Sequence, residues 1–317
     1  MSDPTAATAR GWWTSPPPSA AVEITAGHVA AVSVERGREG VIVRAYAAVP
    51  LPPGALVPAL NASNLVDREA VVAAVRAVLE QVGRPRRVGL VVPDPAAKVS
   101  LVRFETVPAR GEDLLNLVRW QVRKSAPFPI DTAQVALTPG ARLDGGAREF
   151  VVTVMRRDLV EEYEQACAQV GAEAGLVDVS TFNVVNLALA SGGPPGDWLV
   201  VHLTSAYSTL AIVRDGALLF FRSRLADGEG DLPDLVHQTA MYYEDRLSGQ
   251  GFSQVVVAGG TDARERAVLL STLEERLGRP VAPLDARRIA RFADRIDVGP
   301  EVLDGVAAPL GLVLRES

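Results

Sequence analysis

A single cysteine, Cys167, stands in the 317 residues. That excludes an internal disulfide framework and any CxxC zinc knuckle. Three histidines, His28, His202 and His237, are too few and too scattered for a histidine-based metal cluster. Only Lys98 and Lys124 are lysines, and the other 30 of the 32 basic residues are arginine. Neither lysine follows a glycine, so no GxxxxGK[ST] phosphate loop exists. The patterns HExxH, GxSxG and GxGxxG are missing too. No run of about 18 apolar residues offers a membrane span, and the N-terminus lacks a charged-then-apolar signal peptide. The expectation is a reducing, cytoplasmic compartment. A net charge of −6 gives no basic field for nucleic acid.

What is present is an ordinary globular composition, 48% hydrophobic and 22% charged. The length suits about two domains and a sizeable core. Residues 1–18 end in TSPPPS without periodic pattern and read as a mobile tail. Its Trp12 and Trp13 are open to two readings, contact with a partner or packing on the adjacent domain. From Ala20 the chain runs β-β-β-α-β-α-β-α. The three strands lie in residues 20–26, 28–37 and 40–49. A helix capped by Asp67 follows at 68–82, with Val71, Val72, Val75, Val78, Leu79 and Val82 at helical spacing and Gly83 as the stop. A buried strand at 87–93, a helix at 158–171, a strand at 174–180 and a helix at 182–191 complete the unit. After the breaker GGPPGD (192–197) the same order begins again and ends in a helix at 301–314. This is a repeat of about 180 residues. Val22-Glu23-Ile24-Thr25-Ala26 corresponds to Val201-His202-Leu203-Thr204-Ser205. Between residues 95 and 156 the first unit is interrupted by a strand-helix-strand-strand pattern.

Two such units with such an insert resemble the actin-like ATPase fold, that is, duplicated RNase H-like repeats. The insert position resembles that of the cell-division protein FtsA and, more closely, that of the PilM family of type IV pilus assembly proteins. The stretches that carry the resemblance are LVRWQVRKSAPFPIDTAQV (117–135), VMRRDLVEEYEQACAQVGAEAGLVDVSTFNVVNLAL (154–189), VVVAGGTD (255–262), LGRPVAPLDA (277–286) and PLGLVLRES (309–317). The resemblance covers residues 20 to 317. The expected fold class is α/β, actin-like. The expected domains are a first repeat at 19–98 and 157–193, a small α+β insert at 99–156, and a shortened second repeat at 194–317 that includes the C-terminal helix.

The resemblance also implies a nucleotide cleft between the repeats, built on an Asp-x-Gly turn in each first hairpin. The aspartate holds a magnesium-bound water and the glycine admits phosphate to the backbone. Here the turns read Glu23-Ile24-Thr25-Ala26-Gly27 and His202-Leu203-Thr204-Ser205. A glutamate displaces the carboxylate, and a neutral imidazole gives a magnesium ion no charge. His202 also reads simply as a strand residue satisfied by a neighbouring carbonyl. Threonine stands where glycine is expected in both turns. Gly259-Gly260 remains as a plausible adenine-side turn. Only residues 226–234 separate the third strand of the second repeat from its first long helix, where the superfamily usually carries a further subdomain. The expectation is a degenerate site with no catalytic residue, no metal and no required cofactor.

Other candidates have plainer readings. Cys167 sits in an amphipathic helix as a core residue. Glu161, Glu162 and Glu164 form a solvated helix face. RPRR at 84–87 is a basic turn that could meet anionic lipid headgroups. The family resemblance implies a scaffold that holds the N-terminal cytoplasmic segment of a PilN-like inner-membrane protein, meeting the membrane only through it. The implied cleft lies between the first repeat and the insert. Leu117, Trp120 and Phe128 are the candidate lining, or else they pack the insert on its own sheet. As cleft residues they predict that Phe128→Ala weakens peptide binding more than tenfold. The alternatives are an actin-like ATPase with an atypical site, an FtsA-like membrane anchor, and a type II secretion subunit. An FtsA-like anchor is expected to end in a basic amphipathic helix, whereas Val302 to Leu314 is small and apolar.

Overall fold

The computed structural model describes residues 18–38, 40–228, 231–260 and 263–315, so Trp12 and Trp13 lie outside the described residues. The first lobe opens with β1 (Ala20–Ile24), β2 (His28–Gly37) and β3 (Gly40–Pro50) as an antiparallel meander. Helix α1 (Arg68–Gln81) follows, with the Asp67 carboxylate accepting from the Ala70 amide as N-cap. Strand β4 (Arg87–Val92) then pairs parallel with β1. It is buried along nearly its whole length because helices cover both sheet faces. After the insert come α3 (Arg157–Ala168), β8 (Glu173–Val179), parallel to β4, and α4 (Ser180–Ala190).

The insert holds β5 (Lys98–Phe104), α2 (Gly111–Val122), β6 (Ala133–Arg142) and β7 (Arg148–Arg156). Its antiparallel sheet has the order β5-β7-β6. Inward residues alternate along the strands, as a one-sided sheet requires. Val102, Phe104, Val135, Phe150, Val152 and Val154 pack with Val118 and Val122 of α2.

The second lobe repeats the first. It comprises β9 (Asp197–Leu203), β10 (Tyr207–Arg214), β11 (Ala217–Leu225), α5 (Leu232–Arg246), β12 (Gln254–Gly259), α6 (Ala263–Leu277) and β13 (Val281–Pro283). Its sheet order is β11-β10-β9-β12-β13, matching β3-β2-β1-β4-β8 of the first. The same pairs are antiparallel and parallel in both. The expected duplication is therefore present strand for strand, and α5 follows β11 with no further subdomain between Leu225 and Leu232.

The chain's last part departs from the expected boundary. Strand β14 (Ala290–Phe292) leaves the second lobe and pairs parallel with β3, adding a sixth strand to the first sheet. Helix α7 (Pro300–Leu314) packs beside α4 in the central layer between the two sheets. Residues 290–314 thus belong spatially to the first lobe as much as to the second. Small residues allow the approach: a Cβ on Gly311 would lie 1.9 Å from the Asn183 carbonyl oxygen, and one on Gly305 would lie 2.0 Å from the Tyr46 hydroxyl. The molecule is five layers deep: α1 and α3, the first sheet, α4 and α7, the second sheet, α5 and α6.

Candidate functional site

Two places follow from this architecture, the cleft between the lobes and the groove beside the insert. At the cleft the two hairpin turns are built alike. Thr25 Oγ1 donates to the His28 carbonyl at 2.8 Å and accepts from the His28 amide at 3.0 Å. Thr204 Oγ1 donates to the Tyr207 carbonyl at 3.0 Å and accepts from the Tyr207 amide at 3.0 Å. Each threonine hydroxyl thereby occupies a backbone N–H that a phosphate-binding turn leaves open. The turns also meet: a Cβ on Gly27 would lie 3.1 Å from Ser205 Oγ. Ala26 is half-buried against the first lobe's core.

Behind the turns lies a buried polar cluster. Glu23, on β1, accepts from the Ser180 hydroxyl at 2.5 Å. Burial pushes its carboxyl up to about 7, against the Ser180 bond, with Asp94 adding like charge. Asp94, just past β4, is 1% exposed. It accepts from the Thr181 amide at 2.9 Å, from the Thr181 hydroxyl, and from the Thr209 hydroxyl at 2.6 Å. Its carboxyl is raised as well, chiefly by burial. The Thr181 hydroxyl spends its one proton on Asp94, so the 2.8 Å contact with His202 Nδ1 requires the histidine to donate. Burial lowers His202 to about 4, so the ring is neutral.

These residues do not fit a magnesium-bound triphosphate. The His28 and Tyr207 amides of the turns are taken by Thr25 and Thr204, the Glu23 and Asp94 carboxylates accept from hydroxyls, and the second lobe offers a neutral ring in place of an acid. Gly259 and Gly260 both lie at positive φ at the end of β12. Gly259 (φ +79°) would place a Cβ 2.0 Å from the Leu203 carbonyl oxygen. Its amide donates to Asp304 of α7 at 3.3 Å, and Asp304 is ion-paired with Arg266. Among the described residues no cluster of three or more His, Cys, Asp or Glu could hold a metal ion. Glu23, Thr25, Ala26 and Gly27 of the first turn and His202, Thr204 and Ser205 of the second lie on the two facing hairpins, which meet at Gly27 and Ser205. The structure adds Asp94, Ser180, Thr181 and Thr209, which carried no motif in the sequence. The group that satisfies His202 is not the expected carbonyl but the Thr181 hydroxyl of α4, whose proton is already committed to Asp94.

The second place is an open groove of about 660 Å³ between the first lobe and the insert. One wall is β8, the outer strand of the first sheet. The facing wall is the side of the insert's sheet opposite α2: Gln134, Ala136 and Thr138 of β6 with Val151, Thr153 and Met155 of β7. Phe182, Val185 and Leu189 of α4 add apolar surface, and Ala217 and Leu218 of β11 close the end. Arg157, Glu161 and Glu164 of α3 supply charge.

Leu117, Trp120 and Phe128 do not line this groove. Leu117 and Phe128 pack into the insert's own core on the α2 side, and Trp120 is 66% exposed. The reason is the side of the insert's sheet on which they sit: Leu117 and Trp120 belong to α2 and Phe128 to the loop before β6, which pack on one face of that sheet, and the groove is lined by the other. Cys167 is buried, and its thiol is pushed up to about 12, mainly by burial. Glu162 is no solvated acid either; its carboxylate accepts from the Asn64 and Leu65 amides at 3.0 and 3.2 Å.

The family model described as type IV pilus assembly protein PilM matches residues 21–246, well over half of the chain. The chain belongs to the PilM family. Among solved structures, a chain of a PilM-PilN type IV pilus biogenesis complex is similar over 94% of this chain and 98% of that one, with a TM-score of 0.81 at 19% identity. The ethanolamine utilization protein EutJ from Carboxydothermus hydrogenoformans is similar over 95% of this chain and 90% of that one, at a TM-score of 0.49 and 15% identity. The cytoplasmic domain of EpsL, an inner-membrane component of the type II secretion system of Vibrio cholerae, is similar over 77% and 82%, at 0.47 and 8%. The fold of this PilM-family chain is actin-like. No helix among its described residues is long and apolar enough to cross a membrane.

Proposed function

We propose that this protein is a non-catalytic scaffold of type IV pilus assembly. Its groove holds the N-terminal cytoplasmic segment of a PilN-like inner-membrane protein, which places the scaffold at the cytoplasmic face of that membrane. The observation that carries the reading is the groove itself. An outer strand, β8, stands opposite a strand face that carries Ala136, Thr138, Val151 and Thr153, over an apolar floor. That shape accepts an extended chain: the strand edge offers backbone hydrogen bonds, and the floor takes every second side chain. Membership of the PilM family and the likeness to a PilM-PilN complex agree with it. The donor set of the interlobe cleft supports a role that needs neither nucleotide nor metal. The test is a calorimetric titration with a synthetic peptide of a PilN-like N-terminus. Wild type binds, and Ala136→Arg, which projects a long charged arm from an exposed strand face into the groove, loses more than tenfold in affinity with its melting temperature kept. Equal binding by wild type and Ala136→Arg would reject the site.

A further inference from the structure

The buried cluster between the lobes and the groove beside the insert share one helix. Ser180 and Thr181, the first two residues of α4, belong to the cluster. Phe182, Val185, Asn186 and Leu189 of the same helix line the groove. The cluster ties three bodies together. From the first lobe, Glu23 and Asp94 grip the opening turn of α4 through the Ser180 hydroxyl and the Thr181 amide and hydroxyl. From the second lobe, Thr209 of β10 reaches the same Asp94 at 2.6 Å, and His202 of β9 reaches Thr181 at 2.8 Å. Strand β11, paired with β10, carries the groove's end wall at Ala217 and Leu218. Phe221 of β11 also meets Phe182 of α4 edge-on, with ring centroids 5.2 Å apart.

We propose that this cluster is a positioning latch: the Asp94–Thr209 and Thr181–His202 bonds fix the spacing of α4 and β11 and thereby the width of the groove. In an ATPase of this fold a bound nucleotide bridges the lobes; here side chains take that place. All members of the latch are buried, so each bond is made in a low-dielectric interior and supports the others. The lobes stay joined when one bond is removed, because β14 and α7 cross from the second lobe onto the first. A latch variant therefore alters spacing without separating the lobes. The consequence for partner binding rests on the groove reading above; the latch itself does not.

The experiment compares the full-length wild type with Thr209→Val, which keeps the shape and removes the hydroxyl, and with Thr209→Ser, which keeps the hydroxyl. Amide hydrogen exchange is read in residues 180–190, 217–225 and 98–156. A synthetic peptide of a PilN-like N-terminus is titrated against each protein. Thr209→Val is expected to raise exchange at least fivefold in 180–190 and 217–225 and leave 98–156 unchanged. It is expected to weaken the peptide about fivefold through faster dissociation, and Thr209→Ser is expected to restore both. Unchanged exchange in the two segments, or a uniform rise that includes the insert, overturns the latch. A local rise with peptide affinity equal to wild type overturns its action on the groove. If wild type itself binds no peptide, the groove reading falls and the exchange pattern alone decides the latch.

Discussion

Glu23 and His202 occupy equivalent places in the two repeats, and burial acts on them in opposite directions. The Glu23 carboxyl titrates near 4.5 when solvated and is raised to about 7 in the folded protein. The folded state keeps this proton where the unfolded chain has lost it, so stability falls as pH climbs from about 4.5 to about 7. Through a shift of that size the loss is about 3 kcal/mol. Glu23→Gln keeps an acceptor for Ser180 without the titration. Its melting temperature should rise relative to wild type between pH 5 and pH 8, as followed by thermal denaturation in matched buffers; a constant difference across that range would contradict the assignment. His202 works the other way. Its folded value is lowered from 6.5 to about 4, so its contribution is complete above 6.5 and is lost as pH falls toward 4. Gly259 raises a steric question. Its positive φ and the nearby Leu203 carbonyl leave no room for a methyl group. Gly259→Ala should cost at least about 2 kcal/mol in urea unfolding.

At the scale of elements, α4 and α7 decide how the lobes join. They approach closely because Gly311 presents bare backbone to the Asn183 carbonyl. Gly311→Ala should lower stability by about 2–3 kcal/mol by calorimetry, as overpacking of a tight interface does, whereas Gly299→Ala, which meets nothing, should change little. The insert is a separate packing unit with its own core. Phe128 belongs to that core, so Phe128→Ala should leave peptide affinity within about twofold. It should raise exchange within 98–156, since the lost burial is worth roughly 2 kcal/mol. A large loss of affinity without insert loosening would return Phe128 to the binding surface.

At the scale of the whole molecule, the interlobe cleft and the groove beside the insert carry separate predictions. The cleft keeps the symmetry of two facing hairpins, and in each the threonine hydroxyl holds an amide of its own turn. Titration of Mg-ATP should give no micromolar binding; ordered binding at that level would contradict the reading of Thr25 and Thr204 as self-capping turns. Restoring glycine at both positions frees the His28 and Tyr207 amides. It leaves the neutral His202 in place, so magnesium-dependent affinity should still be missing from the double variant.

The amino-acid sequence by itself determined the duplicated strand order, the position of the insert and which residues stand in the two hairpin turns. Each rests on local patterning: alternation, helical spacing, and the identity of residues 23, 25, 202 and 204. The tertiary structure alone decided which face of the insert is open. Leu117 and Phe128 are open to either reading in the linear sequence; in the fold α2 and the loop before β6 cover one face of the insert's sheet, and the groove lies on the other. It also decided that Asp94, Ser180, Thr181 and Thr209, scattered over more than a hundred residues, form one cluster, and that residues 290–314 return to the first lobe. No local period encodes contacts between segments so far apart; they exist because two amphipathic sheets can bury their facing sides only by closing on the same pair of helices.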